Sequence, residues 1–73
     1  MLRKETELTK DGVNKLVVLD PDFQPGQFFV TIIYEGKQPS GSPFANFEKA
    51  AAKFDETVAQ CVAAGWRVIS RRT

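Results

Sequence analysis

The segment formed by residues 46–69, NFEKAAAKFDETVAQCVAAGWRVI, constrains the fold of this chain more than any other stretch. Its apolar residues recur at steps of three and four, which places them on one face of a helix. They are Phe47, Ala51, Phe54, Val58, Cys61 and Val62. Gly65 stands where a left-handed residue commonly closes a helix, and the next residues have the aromatic and β-branched content of a strand. We therefore predict a helix that ends at Ala64 and turns into a strand.

Two clear strand patterns precede this helix. Residues 27–35, QFFVTIIYE, carry apolar side chains on both faces, which is typical of a central strand covered on both sides. Residues 13–19 form a second strand that stops near Asp20, because Pro21 cannot donate to a sheet. The turn signal Asp11-Gly12 connects it to a first strand that starts at about Lys4. Disorder of the first residues is an equal alternative for that first strand.

The remaining connections are rich in turn formers. Residues 20–26, DPDFQPG, and residues 36–43, GKQPSGSP, are predicted as loops. The helix is predicted to begin between Pro43 and Phe47, with Ser42 or Asn46 as its N-cap. The expected fold is α+β, a small, largely antiparallel three- or four-stranded sheet with one long helix on one face, in the order (β)ββαβ. Residues 1–73 form a single domain, in which residues 1–4 and 72–73 are candidates for disorder.

The residue types exclude most chemistry that a small enzyme uses. There is no histidine, which removes the commonest general base and most zinc sites. Cys61 is the only cysteine, so no disulfide forms within the chain, and its place on the apolar helix face predicts a small buried hydrophobe. No two carboxylates are placed for acid–base catalysis. We expect no enzyme activity, no catalytic residue, no cofactor and no metal.

The expected location follows from two further absences. No apolar run approaches the roughly 18 residues needed to span a membrane. The first ten residues, MLRKETELTK, are charged and lack the apolar core of a signal peptide. A lone cysteine also fits a reducing compartment. We therefore expect a soluble cytoplasmic protein with no membrane partner.

A surplus of apolar residues suggests a binding surface. One helix covers only one face of a sheet, which leaves Phe29, Ile33, Ile69 and half of the run Leu16–Leu19 for the other face. Exposed apolar patches on small proteins commonly mark interfaces. The leading prediction is a non-enzymatic protein-interaction module that docks on a larger protein or forms a homodimer. Its size and near-neutral charge suit a phage- or plasmid-type regulator that binds a host machine such as RNA polymerase or a nuclease. In a rival interpretation, the N-terminal segment and the loop of residues 20–26 fold back over this face, with Phe23 as the lid.

The charge distribution supports an alternative function. The last eight residues, WRVISRRT, carry Arg67, Arg71 and Arg72 and no acid, which leaves seven basic and nine acidic groups in the first 65 residues. Arginines of this kind contact phosphates, so the alternative is a small RNA- or DNA-binding protein that also uses the aromatic residues of the sheet. Charges that keep an edge strand soluble are the simpler interpretation. Arg3 and Lys4 reinforce the basic patch if the two termini lie close together.

Overall fold

The structure is a computed structural model that describes residues 3–24 and 26–72, with the backbone alone for residues 22–24. Five strands and one helix follow one another as β1 (Lys4–Lys10), β2 (Val13–Gln24), β3 (Gln27–Tyr34), β4 (Ser40–Phe44), α1 (Phe47–Ala63) and β5 (Arg67–Arg72). The sheet has the strand order β4-β3-β2-β1-β5, and every neighbouring pair is antiparallel. α1 crosses one face of the sheet, so that β5 adds to the edge beside β1.

The first hairpin is formed by the turn that the sequence predicts. Asp11 and Gly12 have positive φ angles of 52° and 79°, and Lys10 pairs with Val13 across the turn. Two successive positive φ values are those of a type I′ turn, whose twist matches the flanking strands. β1 starts at Lys4 and β5 ends at Arg72, so these two residues, which we considered as candidates for disorder, lie at the ends of strands. Residues 1–2 and 73 lie outside the described part of the chain.

The α+β class and the antiparallel sheet with one helix are confirmed. The sheet has five strands, however, whereas we predicted three or four. The segment predicted as a loop before the helix contains β4, whose Phe44 pairs with Phe28 and packs against the core. β4 is an edge strand, which tolerates Pro43 because one side of its backbone has no partner strand. Phe44 packs against core residues that are distant in sequence. This packing outweighs the preference of the residues before Phe44 for turns.

β2 also runs further than predicted. β1 begins at Lys4, which pairs with Leu19 of β2. Beyond Leu19, the backbone of β2 therefore pairs only with β3. Pro21, which is buried, therefore removes no hydrogen bond to β1. The pairing of β2 with β3 changes register between Asp20 and Gln24, which accommodates the proline within a continued strand.

Both ends of α1 are capped as the residue types suggest. The side-chain oxygen of Asn46 accepts hydrogen bonds from the backbone N–H of Glu48 at 2.7 Å and of Lys49 at 3.3 Å. Gly65 has φ 101°, and its N–H donates to the carbonyl of Val62, while the N–H of Trp66 donates to the carbonyl of Cys61. These two bonds form a Schellman motif. The helix and its closure through Gly65 are confirmed, with Ala64 as the C-cap rather than the last helical residue.

The core lies between α1 and the inner face of the sheet. Its buried residues come from β1, β2, β3 and the helix, and they are Leu8, Val17, Leu19, Val30, Ala50, Phe54 and Cys61. Thr57 completes the buried side of α1. Val62 is 49% exposed, so its assignment to the buried face was wrong. It follows Cys61 directly and therefore lies about 100° further around the helix. Among the described residues there is no helix with the length and apolar content that a membrane crossing requires.

Candidate functional site

The face of the sheet away from α1 carries two of the residues predicted for an interface. Val30 packs into the core on the helix side, so the alternation of β3 places Phe29 and Ile33 on the other face. Leu16 and Val18 of β2 share that face, and Leu16 pairs directly with Ile33. We call Leu16, Val18, Phe29 and Ile33 the helix-free patch.

The helix-free patch is already partly covered by its own neighbours. Val18 is only 3% exposed, Leu16 and Phe29 are half-buried, and Ile33 is 37% exposed. Full burial of an aliphatic side chain is worth about 1.5–3 kcal/mol, so covering the remaining third of Ile33 contributes roughly 0.5–1 kcal/mol. The rival prediction, in which Phe23 covers this face, concerns a side chain outside the described residues.

Acidic residues of β1 border the helix-free patch. Glu5 pairs with Val18 across the sheet, and Glu7 pairs with Leu16. The Glu5 carboxylate accepts ion pairs from Arg3 Nε at 3.1 Å and Arg72 Nη1 at 3.9 Å. Within the described part of the chain, no ion pair forms at Glu7. A cavity of about 200 Å³ lies here, lined by Glu5, Glu7, Leu16, Ser70 and Arg72.

Ile69, the third predicted interface residue, lies apart from the other two. It sits in β5 where the pairing with β1 changes register, and it is 48% exposed. β1 and β2 separate β5 from β3. At about 4.8 Å per strand, Ile69 is roughly 14 Å from the strand that carries Phe29 and Ile33. The three residues therefore do not form one continuous patch.

The three C-terminal arginines also lie at different places. Arg71 and Arg72 pair with Thr6 and Glu5 at one end of β5, whereas Arg67 pairs with Thr9 at the other end. Four residues of strand separate Arg67 from Arg71 by about 13 Å.

The pairing of β1 with β5 does bring the two described ends of the chain together. Arg3 and Lys4 therefore lie beside Arg71 and Arg72, and we call these four residues the basic end. A groove of about 480 Å³ lies between the basic end and α1; its lining includes Lys4, Arg71, Val58 and Val62. Glu5 and Asp55, which also line this groove, offset part of the positive charge.

A buried lysine is the feature that the sequence interpretation missed. Lys15 is only 5% exposed, and its Nζ donates a hydrogen bond to Cys61 Sγ at 3.1 Å. The same nitrogen lies 4.0 Å from the ring centre of Trp66 and 4.7 Å from that of Tyr34. We call these four residues the Lys15 cluster. The signal was present in the sequence, because Lys15 alternates with Val17 and Leu19 on the inner face of β2.

The surroundings of Lys15 act on its charge in opposite directions. Burial lowers the pKa of the ammonium group, whereas its contacts with the Cys61 sulfur and the Tyr34 hydroxyl raise it. The contacts outweigh the burial, so the pKa of Lys15 lies above its ordinary value. The side chain is therefore a cation at neutral pH. Cys61 is 7% exposed, which confirms that it is buried.

Known proteins add no further guide to the function of these surfaces. Comparisons with protein families, with characterised proteins and with solved structures found no match to this chain. In residues 3–24 and 26–72, no group of three or more histidine, cysteine, aspartate or glutamate side chains is arranged to hold a metal ion. The helix-free patch and the basic end are the two surfaces that contain most of the residues predicted to bind a partner.

Proposed function

We propose that this chain is a non-enzymatic protein-interaction module that binds a larger protein through the helix-free patch. The observation that carries this proposal is the one-sided position of α1. The helix leaves Leu16, Phe29 and Ile33 on the opposite face, where all three are partly exposed. Partly exposed apolar side chains on one face gain most when another surface excludes water from all of them together.

The size of the exposed area limits the strength of this binding. Ile33 contributes roughly 0.5–1 kcal/mol when its exposed third is covered. Association costs at least about 4 kcal/mol, which is more than three partly exposed side chains supply at this rate, so binding through the patch requires further contacts. A partner that binds more tightly must add polar contacts at the border of the patch, where Glu5 and Glu7 lie.

A lysine introduced at Ile33 tests the proposal. Because Ile33 is 37% exposed, the longer side chain can extend its ammonium into water, and Ile33→Lys is expected to fold. Val13→Lys is the matched control. Val13 is 41% exposed, pairs with Lys10 beside the turn of the β1–β2 hairpin, and is not part of the helix-free patch. Pull-down from the source organism with quantitative mass spectrometry is expected to show partners that Ile33→Lys loses and Val13→Lys retains.

Two outcomes oppose the proposal. An Ile33→Lys chain that stays folded and retains the same partners as the control contradicts binding through the patch. An Ile33→Lys chain that unfolds, with Val13→Lys still folded, favours the rival interpretation in which residues 20–26 cover this face. The identity of the partner as RNA polymerase, a nuclease or another host machine, and the role of a phage- or plasmid-type regulator, stay predictions.

Nucleic-acid binding is the second candidate, and the basic end favours it. The pairing of β1 with β5 places Arg3 and Lys4 beside Arg71 and Arg72, so four cations lie at one end of the sheet. Binding through phosphates weakens steeply as salt rises, whereas apolar docking does not. Fluorescence anisotropy with a labelled single-stranded oligonucleotide at low and moderate salt separates the two candidates. Nucleic-acid binding requires a steep salt dependence that Arg71→Gln reduces, and no binding at low salt excludes it.

A further inference from the structure

The Lys15 cluster holds two reactive atoms in contact inside the protein. Lys15 Nζ lies 3.1 Å from Cys61 Sγ, although the two residues are 46 positions apart in the sequence. Within the described residues, no carboxylate forms an ion pair with this buried ammonium. The cation depends instead on the cysteine sulfur and on the Trp66 and Tyr34 rings. A lysine ammonium and an oxidisable sulfur are therefore in direct contact inside the protein.

The surrounding structure keeps the two atoms in this position. β2 supplies Lys15 from the inner face of the sheet, and Cys61 lies in the last turn of α1. The N–H of Trp66 donates to the Cys61 carbonyl, so the helix closure also places the Trp66 ring 4.0 Å from Nζ. Such positioning removes the entropy that two separate groups lose when they react.

We propose that peroxide converts this contact into a covalent nitrogen–sulfur bond between Lys15 and Cys61. The cross-link is a modification site separate from the helix-free patch and does not depend on the proposed binding function. Hydrogen peroxide is the co-reactant, and the product is a sulfenamide that joins β2 to α1.

The reaction balances in two steps. The Cys61 sulfur attacks one peroxide oxygen, the oxygen–oxygen bond breaks, and the departing hydroxide takes a proton to form water; Cys61 becomes a sulfenic acid. The Lys15 ammonium releases one proton to solvent, and the resulting neutral amine attacks the sulfur. The sulfur–oxygen bond breaks, and the leaving hydroxide takes one amine proton to form a second water. In total, one thiol, one ammonium and one hydrogen peroxide give one sulfenamide, two waters and one proton released to solvent. Peroxide accepts the two electrons.

Mass spectrometry of the whole chain tests the cross-link. The purified protein is treated with hydrogen peroxide, quenched with catalase and digested without reductant. The expected product is lighter than the reduced chain by two hydrogen atoms, yields a linked peptide pair that contains Lys15 and Cys61, and reverts with dithiothreitol. A linked pair that retains one additional oxygen is an N–O–S bridge and overturns the nitrogen–sulfur bond. Peptide mapping separates oxidation of Met1 from these products.

Controls assign the product to the folded contact. Lys15→Met keeps a chain of similar length without an amine and is expected to add oxygen at Cys61 without forming the linked pair. Wild-type protein in urea separates the two residues and is also expected to give no linked pair, which requires no variant to fold. Oxygen addition alone in the native wild type, or no reaction of Cys61, overturns the proposal.

Thermal melting supplies a second readout. A bond between residues 46 positions apart restricts the unfolded chain in the same way as a disulfide. In a protein of this size, the linked form is expected to melt at least about 10 °C higher than the reduced form. Linked protein that melts at the same temperature as reduced protein shows that the bond strains the folded state enough to cancel this gain, which contradicts a reaction between positioned neighbours.

Discussion

At the scale of single residues, Lys15 is the most unusual side chain of the molecule. A buried cation without a carboxylate is costly unless other groups compensate its lost hydration. Here the Trp66 ring at 4.0 Å, the Tyr34 ring at 4.7 Å and the Cys61 sulfur at 3.1 Å provide that compensation. Ring faces carry negative potential, so each contact stabilises the charged form. The charge is held by groups that are themselves apolar enough to belong to the core.

Replacing Lys15 by methionine tests this balance. Lys15→Met loses the cation–ring contacts but avoids the cost of burying a charge, so we expect the free energy of unfolding to change by no more than about 1 kcal/mol. Lys15→Glu reverses the charge beside two ring faces and is expected to destabilise by more than about 3 kcal/mol. Urea unfolding measures both changes. Equal losses for Met and Glu contradict the compensation described above.

The raised pKa of Lys15 also predicts a pH dependence. A lysine whose pKa is higher in the folded than in the unfolded state adds stability that is complete below the unfolded value, about 10.4, and is lost as pH rises through the folded value. The difference in unfolding free energy between wild type and Lys15→Met is therefore expected to be constant between about pH 6 and 9 and to shift against wild type only above about pH 10. A shift already visible near neutral pH contradicts it.

At the scale of elements, α1 is defined by its caps and by one buried stripe. Asn46 satisfies two free N–H groups at its start, and Gly65 closes its end with a positive φ. Lys10 Nζ donates to the carbonyl of Ala64 at 2.6 Å, which adds a cation at the negative end of the helix dipole. The buried stripe then binds this helix to the sheet through Phe54.

The closure at Gly65 can be tested without disturbing the core. Gly65→Ala is expected to destabilise by about 1 kcal/mol or more, because φ 101° is strained for a residue with a Cβ. The added methyl group itself meets only the flexible Lys10 side chain at 3.4 Å, so the backbone supplies the cost. Gly65→Asn is expected to lose less, since asparagine tolerates left-handed conformations better. A neutral Gly65→Ala contradicts the role of this glycine.

The buried stripe is tested by two substitutions on the same helix. Phe54 is 5% exposed, and Phe54→Ala is expected to cost about 3–5 kcal/mol in unfolding free energy. Val62 is 49% exposed, and Val62→Ala is expected to cost less than about 0.5 kcal/mol. A Phe54→Ala variant that melts within a few degrees of wild type shows that the stripe does not form the core.

At the scale of the whole molecule, one helix is too narrow for a five-stranded sheet. Five strands at about 4.8 Å span roughly 19 Å between the outer strands, whereas a helix with side chains is about 10–12 Å wide. The inner face therefore keeps a groove beside the basic end, and the outer face has no helix among the described residues.

The small exposed area predicts how the isolated chain behaves in solution. Because Ile33 and its neighbours are already partly covered, their burial against a second copy does not offset the cost of association. Sedimentation analysis at roughly 10 µM is expected to show a monomer. A concentration-dependent dimer that Ile33→Lys abolishes and Val13→Lys retains would assign the helix-free patch to a homodimer instead of a larger partner.

The sequence alone determined the elements that depend on neighbours along the chain. The helix stripe, its caps, the turn at Asp11-Gly12 and the strength of β3 all follow from contacts or φ preferences within about four residues. These local preferences also predicted the α+β class. Residue alternation in β3 likewise predicted that Phe29 and Ile33 share one face.

Only the tertiary structure decided which distant segments meet. β4 exists because Phe44 reaches the core, and the basic end exists because β5 pairs with β1. Because β5 pairs with β1, two strands lie between Ile69 in β5 and Ile33 in β3. Residue alternation within a strand does not predict this strand order. The contact between Lys15 and Cys61 joins residues 46 positions apart, and local periodicity carries no information about such a distance. These contacts form because the burial of apolar surface stabilises the whole arrangement and not any single segment.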